Sequence, residues 1–311
     1  MALADADLIV DRRRLKRQLS FWRLAAIVLA VAAIGTAVGR FGAGVFGGRY
    51  VARLAVNGII VDDPRRSKAI AEVARDGNAR ALIVRIDSPG GTVVGGETLY
   101  RELRRVAEKM PVVAVMAETA ASGGYMTALG ADWIVAREGT ITGSIGVLMQ
   151  TAEVTGLLGM LGVTMETIKS APLKAVPSPF EPLTPEGRAA AKALIDDMFD
   201  MFVAMVAERR GLARPKALEV ADGRIFTGRQ AKALGLVDAL GGEDTARVWL
   251  ETERGVRHDL PVKDVKIARD EEFWRDVTGQ ALSAITGKAY LPERLTLDGL
   301  VAVWHPDLRS R

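Results

Sequence analysis

Ser122 stands in "AETAASGGYMTA", residues 117–128, directly after the apolar run "PVVAVM". A serine followed by two glycines, where a strand gives way to a helix, has two readings. One is a tight turn whose small residues permit close packing. The other is a nucleophile whose neighbouring backbone N–H groups must approach a substrate. The pattern resembles the nucleophile elbow G-x-S-x-G, but Ala120 replaces its first glycine, so a hydrolase of that fold is not matched.

Three further stretches bear on the choice. "IDSPGG", residues 86–91, ends a buried strand in a Pro–Gly–Gly turn. "GTITGSIGV", residues 139–147, carries Ser144, and "IKSAPLKAVPSP", residues 168–179, carries Lys169 and Lys174. Taken singly, each is an ordinary turn, a glycine-rich loop or a solvated charge. Together they supply the parts of a serine site with an unusual base. Serine needs a base to act as a nucleophile. The chain has two histidines, His258 and His305, both far downstream and outside any motif, and it has no cysteine. Disulfides, thiol nucleophiles and cysteine–metal sites are excluded, and lysine becomes the natural substitute. A lysine is a base only where apolar surroundings disfavour its charge. Lys174 lies between Leu173 and Ala175 with no acid within six residues on either side, whereas Lys169 follows Glu166 by three.

The elements that must hold these residues are legible as short apolar runs followed by helical patterns. "RLAVNGII" (53–60) precedes a helix over 66–76, "ALIVRID" (81–87) a helix within 95–109, and "PVVAVMA" (111–117) a helical segment at 122–130. "DWIVA" (132–136) and "TMETIK" (164–169) are further strand candidates. Strands alternating with helices predict parallel pairing and an α/β class. Thr184 and Pro185 predict the start of a helix running to about 210, with Leu194, Met198, Phe202 and Met205 on its core face. The "DGRIFTGRQAKALGLVDALGG" stretch (222–242) reads as core or subunit contact, with a helix over 228–235 ended by Gly235.

The head of the chain has a different character. Residues 1–23 carry +3 of the chain's net +4, so the basicity is local and nucleic-acid binding is not implied. Residues 24–39, "LAAIVLAVAAIGTAVG", contain no charge. A span takes ~17–25 apolar residues, and Arg23 and Arg40 can extend this one by snorkelling. An anchor is preferred over a cleaved signal peptide. The organisation expected is a basic cytoplasmic head (1–23), a transmembrane anchor (24–39), a glycine-rich stalk (40–50), a catalytic domain (51–260) and a C-terminal extension without a motif (261–311). The positive-inside rule puts everything after residue 40 outside.

The residues "DSPGG", "ASGGY", "TITGSIGV", the "IKS…K" segment and "DGRIFTGRQAKALGLVDALGG" resemble the signal peptide peptidase A family, the membrane-anchored serine–lysine peptidases of bacteria. The match runs over roughly 53–245 in the family's order. The separations of 52 residues from Ser122 to Lys174 and 22 from Ser122 to Ser144 agree with its short members. The resemblance implies a Clp-protease/crotonase-like αβ superhelix behind an N-terminal transmembrane helix. It implies Ser122 as nucleophile, Lys174 as general base, Ser144 orienting the lysine, and the N–H groups of Gly91 and Gly123 as the oxyanion hole. It implies no cofactor or metal, and a homo-oligomer in which the lysine reaches a neighbouring copy's serine. Ala171, Leu173 and Ala175 depart from the glycine, aromatic and polar residue frequent at these positions, and Met126 from a frequent aromatic.

The function expected is therefore a serine endopeptidase on the outer, periplasmic side of a bacterial inner membrane, single-pass through a lipid bilayer at 24–39. Its substrates would be signal-peptide remnants and other membrane-proximal peptides, binding as a strand beside "DSPGG". Alternatives are a SohB-like or stomatin-associated peptidase of the same clan, a crotonase-type acyl-CoA enzyme using Asp87 or Glu118, or a non-catalytic membrane scaffold.

Overall fold

The computed structural model describes residues 22, 23, 25–30, 48–267 and 300–303. The chain divides into two units, Met1–Arg49 and Tyr50–Arg311. In the first, residues 22–23 and 25–30 are helical. No helix among the described residues is long and apolar enough to cross a membrane. Most of the expected anchor lies outside the described residues, as do the head up to residue 21, most of the stalk, and residues 268–299 and 304–311 of the C-terminal extension, His305 among them.

The second unit runs β1 (Tyr50–Ile60), α1 (Pro64–Val73), β2 (Ala79–Thr92), α2 (Val93–Ala107), β3 (Val112–Ala121), α3 (Gly123–Ala128), β4 (Trp133–Ala136), β5 (Ile141–Gly143) and β6 (Leu148–Met149). There follow α4 (Thr155–Met160), α5 (Pro185–Arg210), α6 (Arg214–Glu219), β7 (Ile225–Thr227), α7 (Gly228–Ala233), β8 (Ala239–Leu240), α8 (Glu243–Arg254), β9 (Val262–Asp264) and β10 (Leu300–Val303). A parallel sheet forms the centre, with β9, β1, β2, β3, β4 and β8 pairing in that order. β5 adds parallel to the end of β3 and carries β7 antiparallel.

The apolar runs of β2 and β3 are continuous because both faces of the sheet are covered. Side chains alternate between those faces. Leu82, Val84, Ile86, Val112, Ala114 and Met116 enter a core with Leu99, Leu103, Tyr125 and Phe202. Ala81, Ile83, Val113 and Val115 enter a second one with Ala246 and Leu250 of α8. This is the expected α/β class. Caps fix where helices begin: Thr92 Oγ1 accepts from Gly95 N at 3.0 Å, and Thr184 Oγ1 from Gly187 N at 3.1 Å.

Two expectations change. Residues 164–169 form no strand, since no neighbouring strand offers them a ladder. Helix α5 starts at Pro185 and ends before Gly211 as predicted, but its large buried side chains lie in its second half: Phe202 and Met205 are buried, while Leu194 is exposed.

Candidate active site

Ser122, Gly123 and Ser144 come together where parallel strands end, the place at which α/β sheets characteristically bind ligands, and Gly91 lies at the end of the adjoining strand β2. β2 and β3 pair in register as far as Ile86–Met116 and, after a shift, at Ser88–Ala120. β3 then passes through Ser122 into α3. Ser122 is 1 % exposed and sits at φ 54, ψ −116, a conformation that costs a non-glycine residue strain energy. The surrounding backbone holds it there. Its N–H donates to Gly143 O at 2.8 Å, and its carbonyl accepts from Met126 N at 2.9 Å.

The Ser122 N–H, already used, is not available to a ligand. Gly123 is the first residue of α3, and its N–H has no partner within the helix. Gly91 is buried at the end of β2, where a Cβ would lie 1.7 Å from Ile60 O, so only glycine fits. Ser88 joins these two parts. Its Oγ donates to Gly58 O at 2.6 Å and accepts from Gly90 N at 3.0 Å, which shapes the turn leading to Gly91. Its carbonyl lies so near α3 that a Cβ on Gly124 would approach it to 2.9 Å.

Ser144 follows directly. Ala121 pairs with Gly143, and Ser144 N donates to Arg224 O at 2.8 Å. Ser144 is 8 % exposed with φ 48. Among the described residues, the non-glycine residues at positive φ are Ser122, Ser144 and Ala175, the last adjoining Lys174. Backbone strain therefore collects at the three places the sequence singles out for chemistry.

Lys174 differs from the serines. It is exposed, in a turn where its N–H donates to Ala171 O, and its Nζ makes no hydrogen bond or ion pair among the described residues. One chain thus assembles the serines and glycines but does not bury the amine as the apolar sequence around it predicts. Lys169 is paired with Glu181 at 2.6 Å, which ties the arm to the chain leading into α5. Asp87, a candidate carboxylate of the acyl-CoA alternative, accepts from Thr119 N at 3.2 Å and ties β2 to β3, while Glu118 is exposed. Among the described residues no group of three or more His, Asp or Glu side chains could hold a metal ion.

The downstream motif has the core role expected of it. Tyr125 is fully buried and donates to Leu236 O at 2.9 Å, and burial pushes its phenol well above the ordinary range. Arg210 and Asp238 pair at 2.5 Å, and Asp238 also accepts from Ile134 N at 2.7 Å. The helix there ends at Ala233, with Gly235 at φ 76. Sequence reasoning missed Ser88, although its place between Asp87 and Pro89 in the turn marked it as a side chain able to bond its own backbone.

Residues 104–257 match the profile of peptidase family S49. A putative protease of Synechocystis sp. is 46 % identical over 213 residues, covering 68 % of this chain and 76 % of that protein. A putative signal peptide peptidase SppA of Enterococcus faecium is 31 % identical over 254 residues, covering 77 % and 71 %. Among solved structures, a ClpP1 from Listeria monocytogenes aligns with TM-score 0.43 at 19 % identity, over 61 % of this chain and 91 % of that one.

Proposed function

Because this chain belongs to peptidase family S49, the signal peptide peptidase A family, we propose that it is a membrane-anchored serine endopeptidase whose nucleophile is Ser122 and whose base is Lys174 of a neighbouring copy. The observation that carries the reading is the strained, buried Ser122 at the point where β3 turns into α3. In the proposed reaction neutral Lys174 takes the proton of Ser122 Oγ as that oxygen adds to the scissile carbonyl. The oxyanion is held by the Gly91 and Gly123 N–H groups, a device worth ~2.7–4 kcal/mol per donor in other proteases. The lysine then gives its proton to the departing amine. Water, deprotonated by the same amine, releases the acyl group from Ser122. Ser144 orients the amine between these steps.

A lysine in water is protonated at neutral pH, so exposed Lys174 needs a cover before it can serve as base. The arm that carries it supplies a reason for one. Met160 is 81 % exposed, Ile168 93 % and Leu173 49 %, and Leu161, Met165 and Phe180 are exposed beside them. Unpartnered apolar side chains at this density mark an association surface. A second copy is the occupant that would at once cover them and offer a serine to the lysine. The apolar residues 24–39 support a single membrane span with the catalytic unit on the outer side of a bacterial inner membrane. Its substrates would be signal-peptide remnants and other peptides lingering there. The Clp-protease/crotonase-like superhelix remains the finer fold assignment that goes with this reading.

The test is turnover of a signal-derived peptide by the detergent-solubilised protein. Ser122→Ala and Lys174→Ala should each lower kcat by roughly a thousandfold or more, as removal of a nucleophile or its base does elsewhere. Co-expression of the two variants should restore activity, since some interfaces then pair an intact serine with an intact lysine. Near-normal turnover by Lys174→Ala would overturn the dyad, and failure of co-expression to rescue would overturn the shared site.

A further inference from the structure

Helices α1 and α2 pack side by side, and a groove of ≈ 490 Å³ opens between them where Ala71 and Ala74 leave room that larger side chains would fill. Buried Ile70 and Val106 give it an apolar lining. Charged residues recur along its walls at helical spacing. Lys68 and Arg75 come from α1 and the turn after it, and Glu102, Arg105 and Lys109 from α2 and the turn after it. The four cations are exposed, and among the described residues their side chains make no ion pair or hydrogen bond. Glu102 is the contrast. It is 8 % exposed, and among the described residues its Oε2 is shut off from solvent without a hydrogen-bond partner. Arg66 lies near enough to feel its charge, but the Arg66 guanidinium donates to Val61 O. A buried acceptor left without a donor has lost its hydration for nothing in return, and each such group in a native fold calls for an explanation.

We infer that this groove binds a phospholipid headgroup carrying a phosphate and a primary ammonium, the ammonium donating to Glu102 and the phosphate lying among Lys68, Arg75, Arg105 and Lys109. Charge selects the class. The four cations outnumber Glu102 and Glu108 and repel a purely cationic ligand, while a purely anionic one would leave Glu102 unpaired. Arginine and lysine donors suit the oxygens of a phosphate. A quaternary ammonium has no N–H to give a buried acceptor, so a choline headgroup does not meet the need. Position favours a lipid over a soluble zwitterion. Asp76, next to Arg75, accepts from the Tyr50 hydroxyl, and Tyr50 N donates to Asn78 O. The basic end of the groove therefore adjoins the residue at which the chain enters this unit from the stalk and the apolar residues 24–39. The inference rests on the anchored reading of those residues and gives the catalytic unit a second hold on the same bilayer.

Calorimetric titration of the full-length protein, solubilised in a maltoside detergent, with glycerophosphoethanolamine tests this. Binding is expected, and glycerophosphocholine should fail to compete. Glu102→Gln should weaken binding about tenfold or more, since a hydrogen bond between charged partners is lost. Urea unfolding should show that variant at least as stable as the parent, because the buried charge is gone, so its weaker binding is not a failure to fold. Arg105→Ala combined with Lys109→Ala should also weaken binding and flatten its dependence on salt. Absence of binding, equal binding of the choline compound, or undiminished binding by Glu102→Gln would overturn the inference. Capture of glycylglycine in preference to the headgroup would overturn the lipid assignment. None of these readouts uses peptide turnover, so they stand or fall apart from the dyad. The anchor is read separately by alkaline extraction of membranes: a chain released by it that still binds the headgroup would overturn the span and leave the site standing.

Discussion

Around Ser122 the chain buries what it places: Ser88, Ala120 and Tyr125 are 0 % exposed and Ser122 1 %. On the arm between β6 and α5, which carries Lys174, Met160 is 81 % exposed and Ile168 93 %. The two regions contribute to one proposed reaction, yet only the first gets its geometry from this chain's own packing. Ser122 and Gly91, assigned to the proposed reaction, sit among backbones that approach within van der Waals contact, Gly91 against Ile60 and Gly124 against Ser88. The lysine sits on a surface whose apolar side chains await a partner. A nucleophile needs rigid placement and can take it from the core. A base that must lose its charge needs desolvation, and a short exposed arm cannot provide that alone.

The largest effect that separates the regions is expected from glycine substitutions. Gly91→Ala puts a Cβ 1.7 Å from Ile60 O, where neither strand backbone can retreat without breaking the β1–β2 ladder. A loss of about 3–5 kcal/mol in denaturant unfolding, with loss of turnover, is expected. Gly159→Ala, in α4 on the arm, meets nothing within 4 Å and should be neutral or more stable by up to ~1 kcal/mol. Equal outcomes at the two positions would erase the distinction between a packed half and an open half.

A smaller effect on the fold, but a clear one on association, is expected from Ile168→Asp. Its side chain is 93 % exposed, so the stability of the single chain should change by no more than ~0.5 kcal/mol. Sedimentation should show weaker self-association, and turnover per chain should fall on dilution and recover at high protein concentration. If association and turnover both match the unsubstituted protein, the arm is not an interface between copies.

What was legible in the sequence follows the same division. The apolar runs at 81–87 and 111–117 foretold β2 and β3 because strands buried on both faces must be apolar throughout. Thr184, Pro185 and Gly211 bounded α5 because helix ends are local chemistry. The glycines after Ser122 signalled close packing, and Gly124 does lie against the Ser88 carbonyl. The rest depended on partners remote in sequence or outside the chain. "TMETIK" has the residues of a strand but no neighbour to pair with, and Leu194 has the spacing of a core residue yet lies exposed in the first half of its helix. Leu300–Val303 carried no motif because a ladder made of backbone leaves little trace in side-chain identity. Lys174 looked buried because its neighbours in sequence are apolar, but burial is decided by neighbours in space.

The smallest expected effect lies at the other end of the sheet and sharpens the comparison by leaving the site untouched. Tyr50 opens β1, pairing with Ala79, about 30 Å or more along β2 from Gly91 at ~3.3 Å per residue. Its hydroxyl donates to Asp76 Oδ2 at 2.7 Å, and Asn78 N donates to Asp76 Oδ1 at 2.9 Å. The Asn78 amide first, and the Tyr50 hydroxyl next, hold the Asp76 carboxyl below its ordinary range. Burial first, and the Asp76 hydrogen bond next, push the Tyr50 phenol up to about 12. For Asp76, depressed in the folded state, the stabilisation is present above the unfolded pKa of ~3.9 and is lost as pH falls through the folded value. For Tyr50, raised in the folded state, it is present below ~10 and is lost as pH rises from there toward 12. Tyr50→Phe should cost about 0.5–1.5 kcal/mol at neutral pH and flatten the decline above pH 10, as read by urea unfolding across pH. Turnover per folded molecule at neutral pH should stay as it is. A change in kcat would mean that the strand ends carrying Gly91 and Ser122 respond to the far edge of the sheet, and the packed half could not then be treated as rigid.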